Sequence, residues 1–398
     1  MACYTRTRVS CYIGYVVQAI INNFLPLLFL ILQTDYNLTY EALGRLILIN
    51  FCVQIAVDIL AVKTVNIIGY RVTVVLSHAL ASLGLAMLGF LPMLFPQNVY
   101  TCLVSAICVY ATGSGIIEVI ISPLVEYLPA KNKSAQMCFL HSFYCWGQVF
   151  CVLVTTVLLR VFTNANWMWV PLVWALIPFA NMFSFMSAPF VIPKAEKEHT
   201  NMTMGQLFCT AKFYKLLTFM LCAGASEIAI AQWSSMFAEQ ALGVSKVVGD
   251  LLGPCAFAIF MGSGRIIYAL LGGRRISINF LIMLNAALCG ACYITVAVSS
   301  SPVICLAACA VCGFSVSLMW PGTYSLAAQQ LPQGGTAMYG LLAMLGDMGC
   351  SLGPWITGLI ADAKGLQTGF LATSVFPVVL FLASARDEIK LKIKRGAV

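Results

Sequence analysis

The sequence predicts an all-α integral membrane protein with twelve transmembrane helices in two six-helix bundles. The 398-residue chain is 61% hydrophobic and 9% charged, whereas about a quarter of the residues in a soluble domain are charged. Its apolar runs are long enough to cross a bilayer, which takes about 20 helical residues. A polar segment near the middle of the chain separates six of these runs from six others.

The two sets of runs predict two bundles joined by a linker. We expect an N-terminal bundle over residues 1–192, a cytoplasmic linker over 193–212, and a C-terminal bundle with a cytoplasmic tail over 213–398. The first run has no cleavage site after it, so we expect it to be retained. The predicted spans are 11–33, 42–62, 72–90, 99–126, 138–162, 168–191, 213–237, 248–271, 276–298, 303–326, 336–360 and 369–385.

The basic residues predict the orientation in the membrane. Seventeen of the 22 Lys and Arg residues lie near span ends on one side, together with both termini and the central linker. Lys and Arg are enriched in cytoplasmic loops. We therefore expect a multi-pass protein of the plasma (inner) membrane with both termini in the cytoplasm.

Several other classes of function are excluded. The formal charge of +8 is spread over many short loops, which argues against nucleic acid as a partner. The 17 cysteines fall mostly in apolar runs, where cysteine acts as a small hydrophobe. Two Cys-x-x-Cys pairs, Cys289 with Cys292 and Cys309 with Cys312, are interpreted as helix packing, so we expect no metal or cofactor. The chain has only three histidines and no HExxH motif, which argues against an enzyme.

Polar side chains recur on the predicted spans at helical spacings. Residues three, four or seven apart share a helix face, and such faces must meet protein or water because lipid cannot satisfy them. A single amide or hydroxyl often only joins two helices, and aromatic residues often only pack, but stripes in both halves favour a solute pathway. The candidate solute-binding residues are Gln18, Asn22, Asn23, Asn50, Gln54, His141, Tyr144, Gln148, Gln232, Trp233, Trp320 and Tyr324.

Three carboxylates within apolar runs are candidates for proton coupling: Glu118, Glu227 and Asp347. Ionisable residues are rare in hydrocarbon and usually mark a pathway for ions, protons or solutes. Burial also disfavours the ionised form of a carboxyl group, so these residues could take up and release protons. The alternative for Glu118 or Glu227 is a structural ion pair with Arg265.

Three glycine-containing segments lie in or just after the second, eighth and eleventh predicted spans. They are Gly69-Tyr70-Arg71, then Gly264-Arg265 with Tyr268 and Gly272-Gly273-Arg274-Arg275, and Gly346-Asp347-Met348-Gly349-Cys350-Ser351-Leu352-Gly353-Pro354. Together these segments resemble the major facilitator superfamily, and the resemblance covers almost the whole chain. It implies a fold of two six-helix bundles that alternate access to a central cavity.

Further motifs lie in the first, fourth, fifth and tenth predicted spans. They are Ile21-Asn22-Asn23, Gly115-Ile116-Ile117-Glu118 with Ser122-Pro123, His141-Ser142-Phe143-Tyr144 with Gly147, and Trp320-Pro321-Gly322-Thr323-Tyr324-Ser325-Leu326. Within the superfamily, these motifs resemble the fucose:proton symporter branch. The resemblance implies proton-coupled uptake of a sugar, with Glu118 at the position of the family's cavity carboxylate.

The chain departs from the family pattern at two places. The family's proton-linked Asp after the paired Asn of the first span is missing, and Pro26 stands near its position, so coupling would rest on Glu118 or move to Glu227 or Asp347. Asn66 stands three residues before Gly69, where the superfamily usually has Asp. Asp58 could compensate for this change, and the candidate gating residues are Asp58, Arg71 and Arg265.

These observations predict a secondary transporter for a small polar solute such as a monosaccharide. Its expected partners are this solute, protons and membrane lipid, and we expect a monomer. The many Met and Phe residues leave open a proton-driven antiporter that exports amphipathic compounds. A membrane receptor without transport is a further alternative.

Overall fold

The computed structural model describes residues 4–129, 133–190, 202, 204–271 and 277–396. Within these ranges it does not describe the side chains of residues 58, 61–67, 123, 126–127, 133–138, 164, 269–271, 335–337 and 390–396. Regular structure in the described part of the chain is entirely helical. The chain forms two compact units, Met1–Glu196 (unit 1) and Lys197–Val398 (unit 2). The predicted linker boundaries at 193 and 212 remain predictions, since residues 191–201 and 203 lie outside the described ranges.

Unit 1 contains seven α-helices that form six predicted spans. Short 3₁₀ turns at Leu25–Leu28, Pro96–Asn98 and Asn164–Asn166 connect some of them. The helices are α1 (Thr5–Asn23), α2 (Phe29–Tyr36), α3 (Tyr40–Ile68), α4 (Tyr70–Leu94), α5 (Val99–Tyr127), α6 (Lys133–Phe162) and α7 (Trp169–Ser187).

Unit 2 contains the remaining α-helices and one π-helical turn at Leu251–Cys255. Several of its spans consist of two consecutive helices. The helices are α8 (Met204–Phe208), α9 (Ala211–Gln240), α10 (Lys246–Asp250), α11 (Ala256–Leu271), α12 (Ile278–Val298), α13 (Pro302–Val316), α14 (Met319–Gln330), α15 (Gly335–Lys364), α16 (Leu366–Thr373) and α17 (Val375–Gly396).

The number of membrane-spanning helices agrees with the sequence prediction. Eleven helical segments in the described part of the chain are long and apolar enough to cross a membrane. The remaining predicted span corresponds to α15, a 30-residue helix that carries Asp347. Twelve spans in an all-helical fold are therefore consistent with the structure.

Four predicted spans are interrupted rather than continuous, and one of them, the twelfth, is divided between α16 and α17 at Ser374. The first breaks at the 3₁₀ turn that contains Pro26, and the eighth contains the π turn with Pro254. The tenth is divided between α13 and α14 at Ser317 and Leu318. Proline lacks an N–H group and clashes with the preceding turn, which explains the breaks in the first and eighth spans. In transporters, interrupted spans tend to lie near binding sites, since they free backbone groups within the membrane.

The last helix is longer than the predicted twelfth span, which ends at 385. Helix α17 continues to Gly396, and its polar continuation contacts other helices of unit 2. Lys215 Nζ lies 2.6 Å from Asp387 Oδ2, and the Asn279 side-chain amide donates to Glu388 Oε1 at 2.9 Å. The predicted tail therefore begins as a docked helix, because these polar contacts stabilise it where the apolar run has ended.

A buried histidine joins three helices of unit 1. His78 on α4 lies 2.9 Å from the Val74 carbonyl through Nδ1 and 2.9 Å from Asn181 Nδ2 on α7 through Nε2. Because a carbonyl only accepts, Nδ1 must carry the proton and Nε2 must accept from Asn181. The Asn181 amide also donates to the Ser10 carbonyl on α1 at 3.0 Å. This chain of hydrogen bonds fixes α1 relative to α4 and α7.

Close backbone contact holds α9 against α15 in unit 2. A Cβ atom at Gly353 would lie 2.6 Å from the Ala225 carbonyl oxygen, and one at Gly349 would overlap the Leu221 carbonyl. Such distances leave space only for glycine, so the glycines of the eleventh span let the two helices approach closely. This packing brings the helix that carries Glu227 next to the helix that carries Asp347.

Candidate functional site

The predicted amides of the first and second spans meet in unit 1. Asn22 Oδ1 on α1 accepts from Asn50 Nδ2 at 3.2 Å and from Gln54 Nε2 at 3.0 Å, both on α3. Ser114 on α5 donates to Gln54 Oε1 at 3.0 Å. All four side chains are buried. Three helices therefore contribute to one hydrogen-bonded set, which we call the amide cluster (Gln18, Asn22, Asn50, Gln54, Ser114 and Glu118).

Glu118 joins this cluster through Gln18. The Gln18 Nε2 atom donates to Glu118 Oε2 at 2.6 Å. Gln18 lies one helical turn before Asn22 on α1, and Glu118 lies one turn after Ser114 on α5, so both extend the cluster along the same pair of helices. Glu118 is half-buried and Gln18 is buried. A hydrogen bond to an ionised carboxylate is stronger than one between neutral groups.

Two acceptors of the amide cluster are unsatisfied. In the described part of the chain, neither Gln18 Oε1 nor Asn50 Oδ1 has a hydrogen-bond partner, although both atoms are buried. Buried polar atoms of native proteins are normally paired, and each exception calls for an explanation such as a ligand or a water. The hydrogen bonds given above include no Lys or Arg donor. The unsatisfied pair therefore suits a neutral molecule that brings its own donors, such as hydroxyl groups.

A second polar group lies where α1 meets α5 and α6. The Tyr15 hydroxyl lies 2.7 Å from Ser122 Oγ and 3.5 Å from His141 Nε2. Asn23 Nδ2 donates to the Tyr144 hydroxyl at 3.3 Å. Gln148, one turn beyond Tyr144, is buried as well. The structure thus brings the predicted residues of the fifth span to the helix that carries Gln18, Asn22 and Asn23.

In unit 2, the buried acid pairs with a cation instead of an amide. Glu227 Oε2 on α9 lies 3.7 Å from Arg265 Nη2 on α11, and the side chain of Glu227 is only 10% exposed. Arg265 also lies 3.6 Å from the Met261 sulfur. The ion pair that sequence analysis considered for one of the acids is therefore formed by Glu227.

The helix that carries Asp347 packs against an aromatic residue of the tenth span. Asp347 is buried on α15, and a Cβ atom at the preceding Gly346 would overlap the Trp320 ring. Trp320 makes an edge contact with Tyr324, with ring centroids 6.3 Å apart. The structure therefore brings Trp320, with Tyr324 beside it, against the helix that carries Asp347.

Two predicted solute-binding residues of the seventh span, Gln232 and Trp233, have buried side chains. Both are buried on α9. The Trp233 indole N–H donates to the Pro354 carbonyl on α15 at 2.9 Å. An indole with its ring buried and its N–H satisfied has the environment of a packing residue. This placement favours helix packing over solute stacking for Trp233.

The predicted gating residues have different surroundings. Arg71 donates to the carbonyls of Met186 and Ala188 at the end of α7 and stacks 4.7 Å above the Phe190 ring. A cation at the carboxyl end of a helix satisfies its last carbonyls. The side chain of Asp58 lies outside the described residues, so its predicted role stays a prediction.

Sequence analysis missed one buried charge near the start of unit 2's second span. Asp250 is fully buried and accepts from Ser235, and its Oδ1 atom lies 3.2 Å from Lys246 Nζ. The available signal was an acid inside the predicted eighth span with a lysine four residues earlier, a spacing that allows an ion pair. Among the described residues, no group of three or more His, Cys, Asp or Glu side chains could hold a metal ion.

Comparisons with known proteins agree with the fold. The superposition on the D-xylose–proton symporter covers 96% of this chain and 96% of the symporter chain, with a TM-score of 0.78 and 12% identity. The nucleoside transporter NupG covers 95% and 99%, with a TM-score of 0.76 and 13% identity. The E. coli fucose:proton symporter FucP covers 96% and 98%, with a TM-score of 0.64 and 16% identity. At these identities, the likeness shows the fold alone.

Sequence comparisons identify the family. Membrane protein MosC of Rhizobium meliloti is 27% identical over 201 residues, which make up 49% of this chain and 47% of MosC. The chain thus spans about half the length of this curated relative. The family model described as Major Facilitator Superfamily matches residues 11–354, so the resemblance drawn from the sequence motifs is confirmed. The chain belongs to the major facilitator superfamily, whose members are multi-pass membrane transporters and not enzymes.

Proposed function

We propose that this transporter carries a small neutral polyhydroxy solute, most simply a monosaccharide, together with protons. The single observation that supports this most directly is the amide cluster, where Gln18 holds Glu118 at 2.6 Å while two buried acceptors lack donors. Hydroxyl groups of a sugar can donate to such acceptors and accept from the amide N–H groups. Two of the similar structures are named as sugar–proton symporters, which adds support.

The chemistry of the cluster favours a neutral solute over an acidic one. Its side chains are amides, one hydroxyl and one carboxylate, and an anionic solute would meet Glu118 without a compensating cation. Like charges at short range in a partly desolvated site repel strongly. The same polar lining favours a sugar over an amphipathic compound, so the exporter predicted as an alternative has less support.

The proposed coupling step takes place at the bond between Gln18 and Glu118. The ionised carboxylate holds the Gln18 amide through a charge-assisted hydrogen bond. Protonation neutralises Glu118 and weakens this bond, and the amide becomes available to a solute hydroxyl. Solute and proton then bind together, which is the requirement for symport. Glu227 already has Arg265 as a counter-charge, so we assign it a lesser role, and Asp347 remains a further candidate.

The test is transport by the purified protein in liposomes. A pH gradient should drive accumulation of a neutral monosaccharide, and a uronic acid should compete poorly. Glu118→Gln should abolish accumulation driven by the gradient but retain counterflow, because an amide keeps a polar partner for Gln18 without a titratable proton. Glu41→Gln is the matched control, since Glu41 pairs with Arg45 one turn away on the surface of the same unit.

Two outcomes would contradict the proposal. Proton-driven accumulation that persists in Glu118→Gln would exclude Glu118 as the coupling group. Specific sugar binding without any counterflow in wild-type protein would favour the receptor alternative.

The proposal also includes location in the plasma membrane, cytoplasmic termini and a monomeric state. Labelling of single cysteines near each terminus from either side of the membrane tests the orientation.

A further inference from the structure

The two Cys-x-x-Cys motifs of unit 2 meet across the interface of α12 and α13. The Sγ atoms of Cys289 and Cys312 lie 3.7 Å apart, and both residues are fully buried. Both are thiols in this structure. The spacing of three residues places the members of each motif on one helix face. Consecutive spans run in opposite directions, so Cys292 lies opposite Cys309 one helical turn further along the same interface.

The distance between the two sulfur atoms leaves little movement before a bond can form. A disulfide has an S–S length of about 2.05 Å and needs side chains that point toward one another from neighbouring backbone segments. Cys289 and Cys312 already point toward one another from adjacent helices, since their sulfur atoms are in contact. Rotation about the side-chain bonds and a slight approach of the helices supply the remaining change.

A groove gives apolar molecules access to this region. It has a volume of about 410 Å³ and lies between α12 and α13, where aliphatic side chains, Thr295 and Cys292 line it. Val303 and Ile304 at its edge are 77% and 51% exposed. Both helices are membrane spans, so this exposed apolar surface meets lipid chains. Small molecules dissolved in the lipid can therefore reach Cys292, which lies one helical turn from Cys289, whereas ions in water cannot.

We propose that Cys289 and Cys312 are an oxidative modification site that a lipid-soluble two-electron oxidant, a halogen or a quinone, converts to a disulfide. Two S–H bonds break and one S–S bond forms, and the oxidant takes up two electrons while two protons leave the sulfur atoms. With molecular iodine the other product is hydrogen iodide. The disulfide is neutral and suits apolar surroundings, whereas a metal thiolate would carry charge into them.

The same reasoning sets the selectivity of the site. Charged oxidants stay in water and do not enter the apolar groove beside Cys292, because an unpaired ion is costly in apolar surroundings. Charged oxidants should therefore leave this pair unchanged. The bond would fix α13 to α12, and the break after Val316 would then be the joint through which α14, with Trp320 and Tyr324, moves relative to them.

Peptide mapping of the full-length protein in liposomes tests the proposal. The protein is treated with molecular iodine, denatured, alkylated and cleaved at methionine, which releases residues 284–319 because Met283 and Met319 flank both motifs. Cleavage after Tyr293 then separates the two motifs unless a disulfide joins them. We expect joined peptides from the wild type that dithiothreitol separates, and none after treatment with a charged oxidant.

Matched variants identify the pair. Cys289→Ala and Cys312→Ala should each prevent the joined peptides, and Cys222→Ala, a buried cysteine on α9, should not. Separate peptides from iodine-treated wild type would overturn the proposal, and so would joined peptides from Cys289→Ala, which would assign the bond to other cysteines. None of these outcomes depends on the solute, so the result is distinct from any test of sugar transport.

Discussion

Unit 1 and unit 2 each bury a glutamate within a membrane span, but they satisfy it in different ways. Glu118 accepts from the neutral Gln18 amide, whereas Glu227 lies next to the positively charged Arg265. An amide can serve either protonation state of a carboxyl group, while a guanidinium stabilises only the ionised state. The comparison teaches that a buried acid alone does not identify a coupling site, because its partner decides whether a proton can come and go.

The largest expected effect follows from removing the cation of unit 2. Arg265→Ala leaves Glu227 buried without its counter-charge, which lowers the free energy of unfolding by up to about 3–5 kcal/mol. Thermal unfolding in detergent measures this loss, and adding Glu227→Gln should restore much of it. Arg45→Ala removes the exposed ion pair that Arg45 forms with Glu41 one turn away, and it should change the free energy of unfolding little. Equal losses of stability in Arg265→Ala and Arg45→Ala would contradict the assignment of Arg265 as the counter-charge that Glu227 needs.

The next effect concerns the centre of the amide cluster. Asn22→Ala removes an oxygen that accepts two hydrogen bonds and leaves the Asn50 and Gln54 amides without it. An unsatisfied buried group costs about 1–3 kcal/mol, and about 1.4 kcal/mol corresponds to a tenfold change in affinity. Equilibrium binding of the transported sugar should weaken at least roughly tenfold. Unchanged affinity would remove the cluster from the solute site.

Asn181→Ala tests how strongly the hydrogen bonds of Asn181 stabilise the packing of α1 against α4 and α7. The change removes the donor that joins the His78 ring to the Ser10 carbonyl and should lower the free energy of unfolding by about 1–3 kcal/mol. Chemical or thermal unfolding measures the effect. Ser187→Ala is the control, because Ser187 is exposed and bonds within its own helix. A stability loss no greater than that of the control would contradict the assigned histidine tautomer.

The smallest effect distinguishes packing from solute contact in unit 2. Trp233→Phe removes the hydrogen bond to the Pro354 carbonyl, so the free energy of unfolding should fall by about 0.5–1.5 kcal/mol. Sugar affinity should not change, because the ring is fully buried. Isothermal titration beside thermal unfolding measures both quantities. A loss of affinity larger than the loss of stability would return Trp233 to the solute site.

The fold was predictable from the sequence to the extent that apolar runs determine it. Long runs identified the spans, but the hydropathy alone could not show that the tenth divides at Ser317 and Leu318. Pro321 accounts for this break, because proline has no N–H to donate to the Ser317 carbonyl and its ring clashes with that turn. The twelfth extends past its apolar run, since polar contacts of Asp387 and Glu388 hold the helix.

The candidate site was predictable by helix face but not by partner. Spacing placed Gln18 and Asn22 on one stripe and Asn50 and Gln54 on another. Which stripe faces which depends on helix rotation and packing, so neither the contact between Gln18 and Glu118 nor that between Asn22 and Gln54 could be derived. Asp250 was missed because it stands only two residues inside the predicted eighth span, where an acid is expected to reach water. Its burial depends on Ser235, which lies across the helix interface.

The contact between Gly346 and the Trp320 ring suggests a route to altered selectivity that leaves every polar side chain intact. A single methyl group at position 346 would displace the indole without changing its chemistry. Mutational libraries aimed at new solutes would then gain from including this backbone position, which a search restricted to hydrogen-bonding residues would omit.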